Sequence, residues 1–435
     1  MKKISRMLIR LLLLLLLFGQ QLSAQHAAAE KGQYQWLAAR DSQLLKVSLL
    51  TQFWTTYSTG TAIYNQQTGT YEPVDDRLNI SFRRARLVFS GAPYARITYN
   101  LALHYDLTGH DILAGTLGST NRDQPTVGIW DAFGQYRIST RTQALTLTAG
   151  YFRPQLQRES ITTAWAPSSF EKSMSQNYVR RHLVGTGPGR AMGINLGGLW
   201  LGSGIGLLYN IGIFTPVAIG LEGSSGGRQS SPLLAGRLSL QIGQPEMSTY
   251  GISYQQNYYG ERKGLSLDLN IARQGETDKF TAAYAYGPGC MLNYGPLNID
   301  AEWLWLLRRG AETSGSTFNS HSATGHVRLS YNLRLGRYLL EPSFMLMAFR
   351  GAMDADGQRQ AGLVDASAGR EATRDAGLNL HFNKRKLRLY LHHVWRAGEA
   401  GAAANGARVN QFFFQPGVGA IHRGNYWGLG CNLII

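Results

Sequence analysis

Cysteine is nearly missing from this 435-residue sequence. Only Cys290 and Cys431 occur, which excludes a disulfide framework and any CxxC zinc or redox motif. Charge is scarce as well: Asp, Glu, Lys and Arg together make up 16% of the chain, and the formal balance is +16. Lysine is the rarer cation, since nine of the 43 basic residues are Lys and the rest are Arg. Beyond residue 24 no apolar run is long enough to cross a bilayer as a helix. A membrane protein made from this chain therefore has to be a closed barrel.

The one long apolar run is N-terminal. Lys2, Lys3, Arg6 and Arg10 precede Leu11 to Phe18, and Leu22-Ser23-Ala24 supplies small residues for cleavage. The pattern predicts a secretory signal peptide over residues 1–24, with an anchor helix as the alternative. No cysteine stands at the cleavage point, which speaks against lipoprotein attachment. The expected mature chain, 25–435, is a single domain with a formal charge of +12 once those four basic residues are gone. Its cations are mostly guanidiniums, planar forks that grip oxyanions bidentately where an ammonium acts as a point charge. They are dispersed along the chain rather than gathered in one arm or helix, and an exported chain rarely meets nucleic acid, so a nucleic-acid partner is not expected.

What the chain has in abundance is alternation. Ala95, Ile97, Tyr99, Leu101, Leu103, Tyr105 and Leu107 share one face, while Arg96, Thr98, Asn100, Ala102, His104 and Asp106 share the other. Successive strand side chains point to opposite faces, so this is a two-faced strand. A preceding strand carries Ala85, Leu87 and Phe89, joined through Ser90-Gly91-Ala92-Pro93 read as a turn. The same device recurs at Leu45–Tyr57, Thr126–Ile138, Leu145–Tyr151, Arg237–Ile242, Leu265–Ile271, Leu297–Trp305, His326–Leu335 and Leu387–His392. In 126–138 Trp130, Ala132 and Tyr136 fall opposite Asp131, Gln135 and Arg137. Short turns alternate with long polar connections such as 108–125, 158–190 and 350–374. That asymmetry belongs to outer-membrane barrels, with short periplasmic turns and long external loops, and the length suits about 16 strands. The fold class expected is therefore all-β: a transmembrane antiparallel β-barrel. A soluble all-β protein is the competing reading.

Several stretches resemble the phosphate-selective porin O and P family. Arg83-Arg84-Ala85-Arg86-Leu87-Val88-Phe89-Ser90-Gly91 is similar to its early hairpin. Ile129-Trp130-Asp131-Ala132-Phe133 and Ala149-Gly150-Tyr151-Phe152-Arg153-Pro154 are similar to its following strands, and Gly187-Pro188-Gly189-Arg190-Ala191-Met192-Gly193 to the turn leading back into the barrel. These matches run in order over roughly residues 77–214. The resemblance implies an outer-membrane barrel of 16 strands, usually a homotrimer, whose lumen is lined by Arg and Lys and passes anions. Its surroundings would be outer-membrane lipid and lipopolysaccharide.

Residue chemistry points the same way. Leu78, Ile80 and Phe82 share one phase, but Ala85, Leu87 and Phe89 share the other. One extra residue at Arg83-Arg84, a β-bulge, reconciles them and turns Arg83, Arg84 and Arg86 into the lumen. Arg96 is expected beside them on the paired strand, with Arg328 and Arg334 on another wall, as an anion-binding constriction for small anionic solutes. The plainer alternative makes these arginines wall residues paired with Asp and Glu. Arg180, Arg181 and Arg228 are expected in external loops near anionic lipid headgroups. No cofactor or metal is required; His392-His393, adjacent on a strand, face opposite sides. Two further functions stay open: a structural or adhesive barrel filled by the loop 158–190, and a lipid hydrolase using Ser320 or Ser322 with His321, for which an ordinary polar loop is the plainer reading.

Overall fold

In a computed structural model that describes residues 44–435 except 115–126, 166, 186–188, 217–227, 313, 402–409 and 416, alternation becomes a closed wall. The expected signal peptide and part of the Gly185–Gly189 turn lie outside the described residues. In chain order the strands are β1 (Lys46–Thr59), β2 (Ala62–Asn65), β3 (Thr70–Pro73), β4 (Arg77–Tyr94), β5 (Ile97–Tyr105), β6 (Val127–Arg137) and β7 (Thr146–Phe152). After an inward segment come β8 (Ala191–Leu201), β9 (Ile205–Thr215), β10 (Leu233–Gly243), β11 (Lys263–Gln274), β12 (Ala282–Tyr294), β13 (Leu297–Ala311) and β14 (Thr317–Tyr331). The chain finishes with β15 (Leu333–Leu335), β16 (Tyr338–Arg350), β17 (Arg370–Asn383), β18 (Leu387–Glu399), β19 (Phe414–Gln415), β20 (Gly419–His422) and β21 (Asn425–Ile434).

Each barrel strand pairs antiparallel with its neighbour, and β1 closes the ring by pairing with both β4 and β21. The barrel sheet has 17 strands, but β14 and β15 both pair with β16 and form one stave, so the circle has 16. Closure leaves no open edge, as a spanning sheet requires. The small strands β2, β3, β19 and β20 make a separate sheet at the long-loop end.

Burial is inverted relative to a soluble protein. Ile211, Leu269, Ile271 and Val327 are exposed on the outer face, while Asn210, Ser266, Asp268, Asn270 and Gln241 are buried inside. Exposed Tyr94, Tyr136, Trp200, Tyr294 and Tyr331 lie toward the short-turn end, and Tyr57, Tyr105, Tyr286, Trp305, Trp395 and Trp427 toward the other. Two such aromatic girdles mark the membrane interfaces. No helix among the described residues is long and apolar enough to cross a membrane.

The interior is where the structure departs from expectation. The described residues of the segment 153–190 fold into the barrel, carrying the short helices α1 (Arg158–Ile161) and α2 (Ser175–Val184). Leu156, Ile161, Val179, Leu183 and Val184 from this segment pack on Leu199, Leu208, Phe214, Leu233, Leu304 and Leu306 of the β8–β13 wall. That half of the lumen is an apolar core, a setting simple alternation does not reveal. From the short-turn end the 244–262 connection also enters; Tyr254 makes a parallel bridge with Thr162. Against β1, β18 and β21, Phe170 lies tilted to Trp54 and edge-on to Tyr390 and Tyr426, and against β16 Tyr178 lies flat on Phe349 at 3.7 Å. The half-buried polar residues left facing space, among them Asp106, Asp131, Glu171 and Arg180, gather beside β4–β6.

Candidate functional site

The expected bulge is present. β1 pairs Gln52 with Arg84 and Phe53 with Phe82, so Arg83 has no opposite residue. The extra residue turns Arg83, Arg84 and Arg86 inward, buried to 5%, 5% and 4% exposure, while Leu78, Ile80 and Phe82 stay outside. A second bulge was not foreseen. Ala102 faces Asp131 and Leu103 faces Ile129, which leaves Trp130 over. Trp130 therefore points inward with Asp131 instead of outward with Tyr136, and its indole carries Arg86 at 3.6 Å and Arg190 at 3.9 Å. The signal was the same phase flip: Val127 and Ile129 face out on one parity, Tyr136 on the other.

The inward segment meets these arginines. Glu171 accepts from Arg83 Nε at 2.8 Å and from Arg84 Nη2 at 2.8 and 2.9 Å. Burial works against ionising Glu171, yet Arg84 and Arg83 outweigh it and hold the carboxyl down to about 2. Arg86 donates to Asp106 at 2.7 Å, and Arg190 to Asp131 at 3.1 Å. Arg153 and Lys172 donate to the carbonyls of Ser160 and Thr162, neutral acceptors that leave both charges uncancelled. Arg180 lies over Gly189, where φ is +71° and an added Cβ would fall 2.1 Å from Arg180 Nε. Burial and the neighbouring Arg153 push Lys172 well below the ordinary ammonium range; burial and Arg190 also lower Arg180. Seven cations, Arg83, Arg84, Arg86, Arg153, Lys172, Arg180 and Arg190, thus face three carboxylates, Glu171, Asp106 and Asp131. Glu159, the next acid, faces Lys172 but is held by Arg328.

The other expected residues are not brought here. The β4–β5 turn is Ala95-Arg96 rather than Gly91-Ala92-Pro93, because Tyr94 pairs with Ile97. Arg96 consequently sits on the short-turn rim and donates to Tyr136 Oη at 2.9 Å. Arg328 points inward but is only 1% exposed, bound to Glu159 at 2.8 Å and Asp300 at 2.9 Å. Arg334 has the inner phase of Arg328 yet follows the break at Asn332; it is exposed at the short-turn rim, lining a cavity of about 590 Å³ with Arg337 and Lys384. Arg180 and Arg181 are inside the barrel rather than at headgroups, Arg181 pairing with Asp365; Arg228 is exposed. Ser320, His321 and Ser322 lie in β14, not in a loop, so His321 faces away from both serines and they cannot form a nucleophile–base pair.

Comparison with known proteins places this geometry. Residues 59–202, which hold both bulges and the four cations Arg153, Lys172, Arg180 and Arg190, match the sequence model of the family described as phosphate-selective porin O and P. Among solved structures, the outer membrane channel DcaP of Acinetobacter baumannii aligns over 90% of this chain and 97% of its own, at 12% identity and a TM-score of 0.52. OprB of Pseudomonas putida aligns over 90% and 94% at 10% identity and 0.56. An anion-selective porin from Comamonas acidovorans aligns over 90% and 100% at 11% identity and 0.50. No curated protein matches the chain. The fold is that of the outer-membrane porins.

Proposed function

We propose that this porin is a passive outer-membrane channel for small anions, exported by its N-terminal signal, with phosphate and related oxyanions favoured. The observation that carries the reading is the excess of cations over carboxylates where the inward segment meets β4–β6. Fixed guanidiniums in a narrow, low-dielectric passage attract oxyanions and repel cations without any chemical step. Arg153 contributes strongly because its hydrogen bonds go to carbonyls, which orient the side chain without neutralising it. The Comamonas acidovorans structure, an anion-selective porin, agrees with this reading. A homotrimer is the family's expectation and forms part of the same proposal, as does a surround of lipid and lipopolysaccharide.

A second reading is favoured by the apolar packing of residues 153–190 on the β8–β13 wall: a filled barrel with a structural or adhesive role. Planar-bilayer recording separates the two. A channel gives discrete conductance steps and a reversal potential of anion-selective sign in a potassium chloride gradient, and Lys172→Glu with Arg180→Glu moves that potential toward cation preference. Absence of steps from folded protein supports the filled barrel; steps with cation preference overturn the proposed selectivity.

A further inference from the structure

The inward segment touches the opposite wall through a cluster that the anion passage does not use. Glu159 of α1, Asp300 of β13 and His326 of β14 are all buried, and one ligand atom from each lies within 4.8 Å of the others. His326 Nε2 is 2.9 Å from Asp300 Oδ2 and 3.7 Å from Glu159 Oε2. On the other side of the ring, Nδ1 is 3.5 Å from Glu302 Oε1 and 3.4 Å from Ser175 Oγ. Glu302 is 5% exposed, and its Oε1 has no hydrogen-bond partner among the described residues.

We infer that Glu159, Asp300 and His326 form a site for a divalent transition cation, zinc being the best fit to one imidazole and two carboxylates. The charges support it. Glu159, Asp300 and Glu302 bring three negative charges, and Arg328, which bonds the first two, brings one positive charge. Lys172, the next cation, faces Glu159 while its hydrogen bonds go to Ser160 and Thr162. With a neutral imidazole, three carboxylates thus meet two cations in a dry interior, and a bound cation offsets the remaining negative charge. Geometry supports it separately. A cation on Nε2 leaves the proton on Nδ1, which then donates to the unpartnered Glu302 Oε1, the carboxylate–histidine–metal arrangement that fixes a ligating ring. Two ligands belong to the wall and one to α1, so the ion would clamp the inward segment to β13 and β14. The site stands whether or not the passage selects anions.

The test uses the full folded barrel in detergent, stripped with chelator and titrated with zinc chloride. The expected result is one equivalent of zinc retained after desalting, lost in His326→Ala and in Asp300→Asn, and bound 10- to 100-fold more weakly in Glu302→Gln. Heat-dependent gel mobility reports whether each variant is folded. If His326→Ala does not fold, X-ray absorption of the wild-type zinc form decides, with a nitrogen scatterer at about 2.0–2.1 Å expected. A stripped barrel that retains no zinc, a His326→Ala barrel that retains a full equivalent, or a zinc spectrum without imidazole overturns the site. The first of these results would mean that a proton on Glu302, rather than an ion, balances the cluster.

Discussion

Glu171 is the residue on which the passage turns, since one carboxylate holds two wall arginines to the inward segment. Replacing it with Gln keeps the shape but takes from buried Arg83 and Arg84 the carboxylate they bond, and breaking a buried pair in this way costs about 3–5 kcal/mol. Glu171→Gln is expected to lower the denaturant midpoint of the purified barrel and to strengthen anion preference in bilayers. An unchanged midpoint would mean that water already reaches the pair. The same carboxyl sets a pH dependence with a definite sign. Its folded value of about 2 lies below the ordinary 4.5, so its stabilisation is complete above pH of about 4.5 and drains away as pH falls toward 2. Hydrogen exchange of the backbone around residues 168–174 should therefore match at pH 7 and 6 once corrected for intrinsic rate, and should accelerate below about pH 4.

At the scale of the strand, the two bulges decide what faces water. Deleting Arg83 removes the extra residue in β4, and every side chain on its N-terminal side changes face. Leu78, Ile80 and Phe82 would enter the lumen and Asn79 and Ser81 would meet lipid. The expected outcome is failure to reach the heat-modifiable folded form, whereas Arg83→Ala, which keeps the residue count, should fold. The bulge at Arg83 was legible because apolar parity changes across a double arginine. The one at Trp130 carried the same signal, masked because an indole reads as a lipid-facing residue until two guanidiniums are found stacked on it. Arg96 was misplaced for a local reason: Gly91-Ala92-Pro93 looks like a turn, yet β4 runs through it to Tyr94. That the loop 158–190 could fill the barrel was legible as an alternative, but its path was not, because its anchors are distant in sequence. Asn379 Nδ2 donates to Ser168 O at 2.8 Å, Arg388 donates to Pro167 O, and Asp375 accepts from Phe170 N at 2.8 Å. No local pattern encodes partners more than 200 residues away.

For the whole molecule, the question is how much of a 16-stave barrel stays open. A wall of this size around an empty lumen makes a wide aqueous pore, but here the β8–β13 half is filled by side chains from the inward segment, leaving polar space beside β4–β6. The wall does not need that filling to close, since every stave is paired to its neighbours and β1 meets β21 over ten residues. Replacing residues 155–184 with a short Gly-Ser linker should thus give a barrel that still folds and conducts several-fold more than wild type. The deletion removes Lys172 and Arg180 together with Glu159 and Glu171, while Arg83, Arg84 and Arg86 stay on the wall without their carboxylate from the segment. Anion preference should persist in the deletion, and admission of larger neutral solutes in a liposome-swelling assay should rise. Conductance equal to wild type would show that the segment does not occlude the lumen, and the one-sided passage would have to be abandoned. Loss of anion preference, with conductance raised, would instead assign selectivity to the segment and leave the wall arginines a purely structural part.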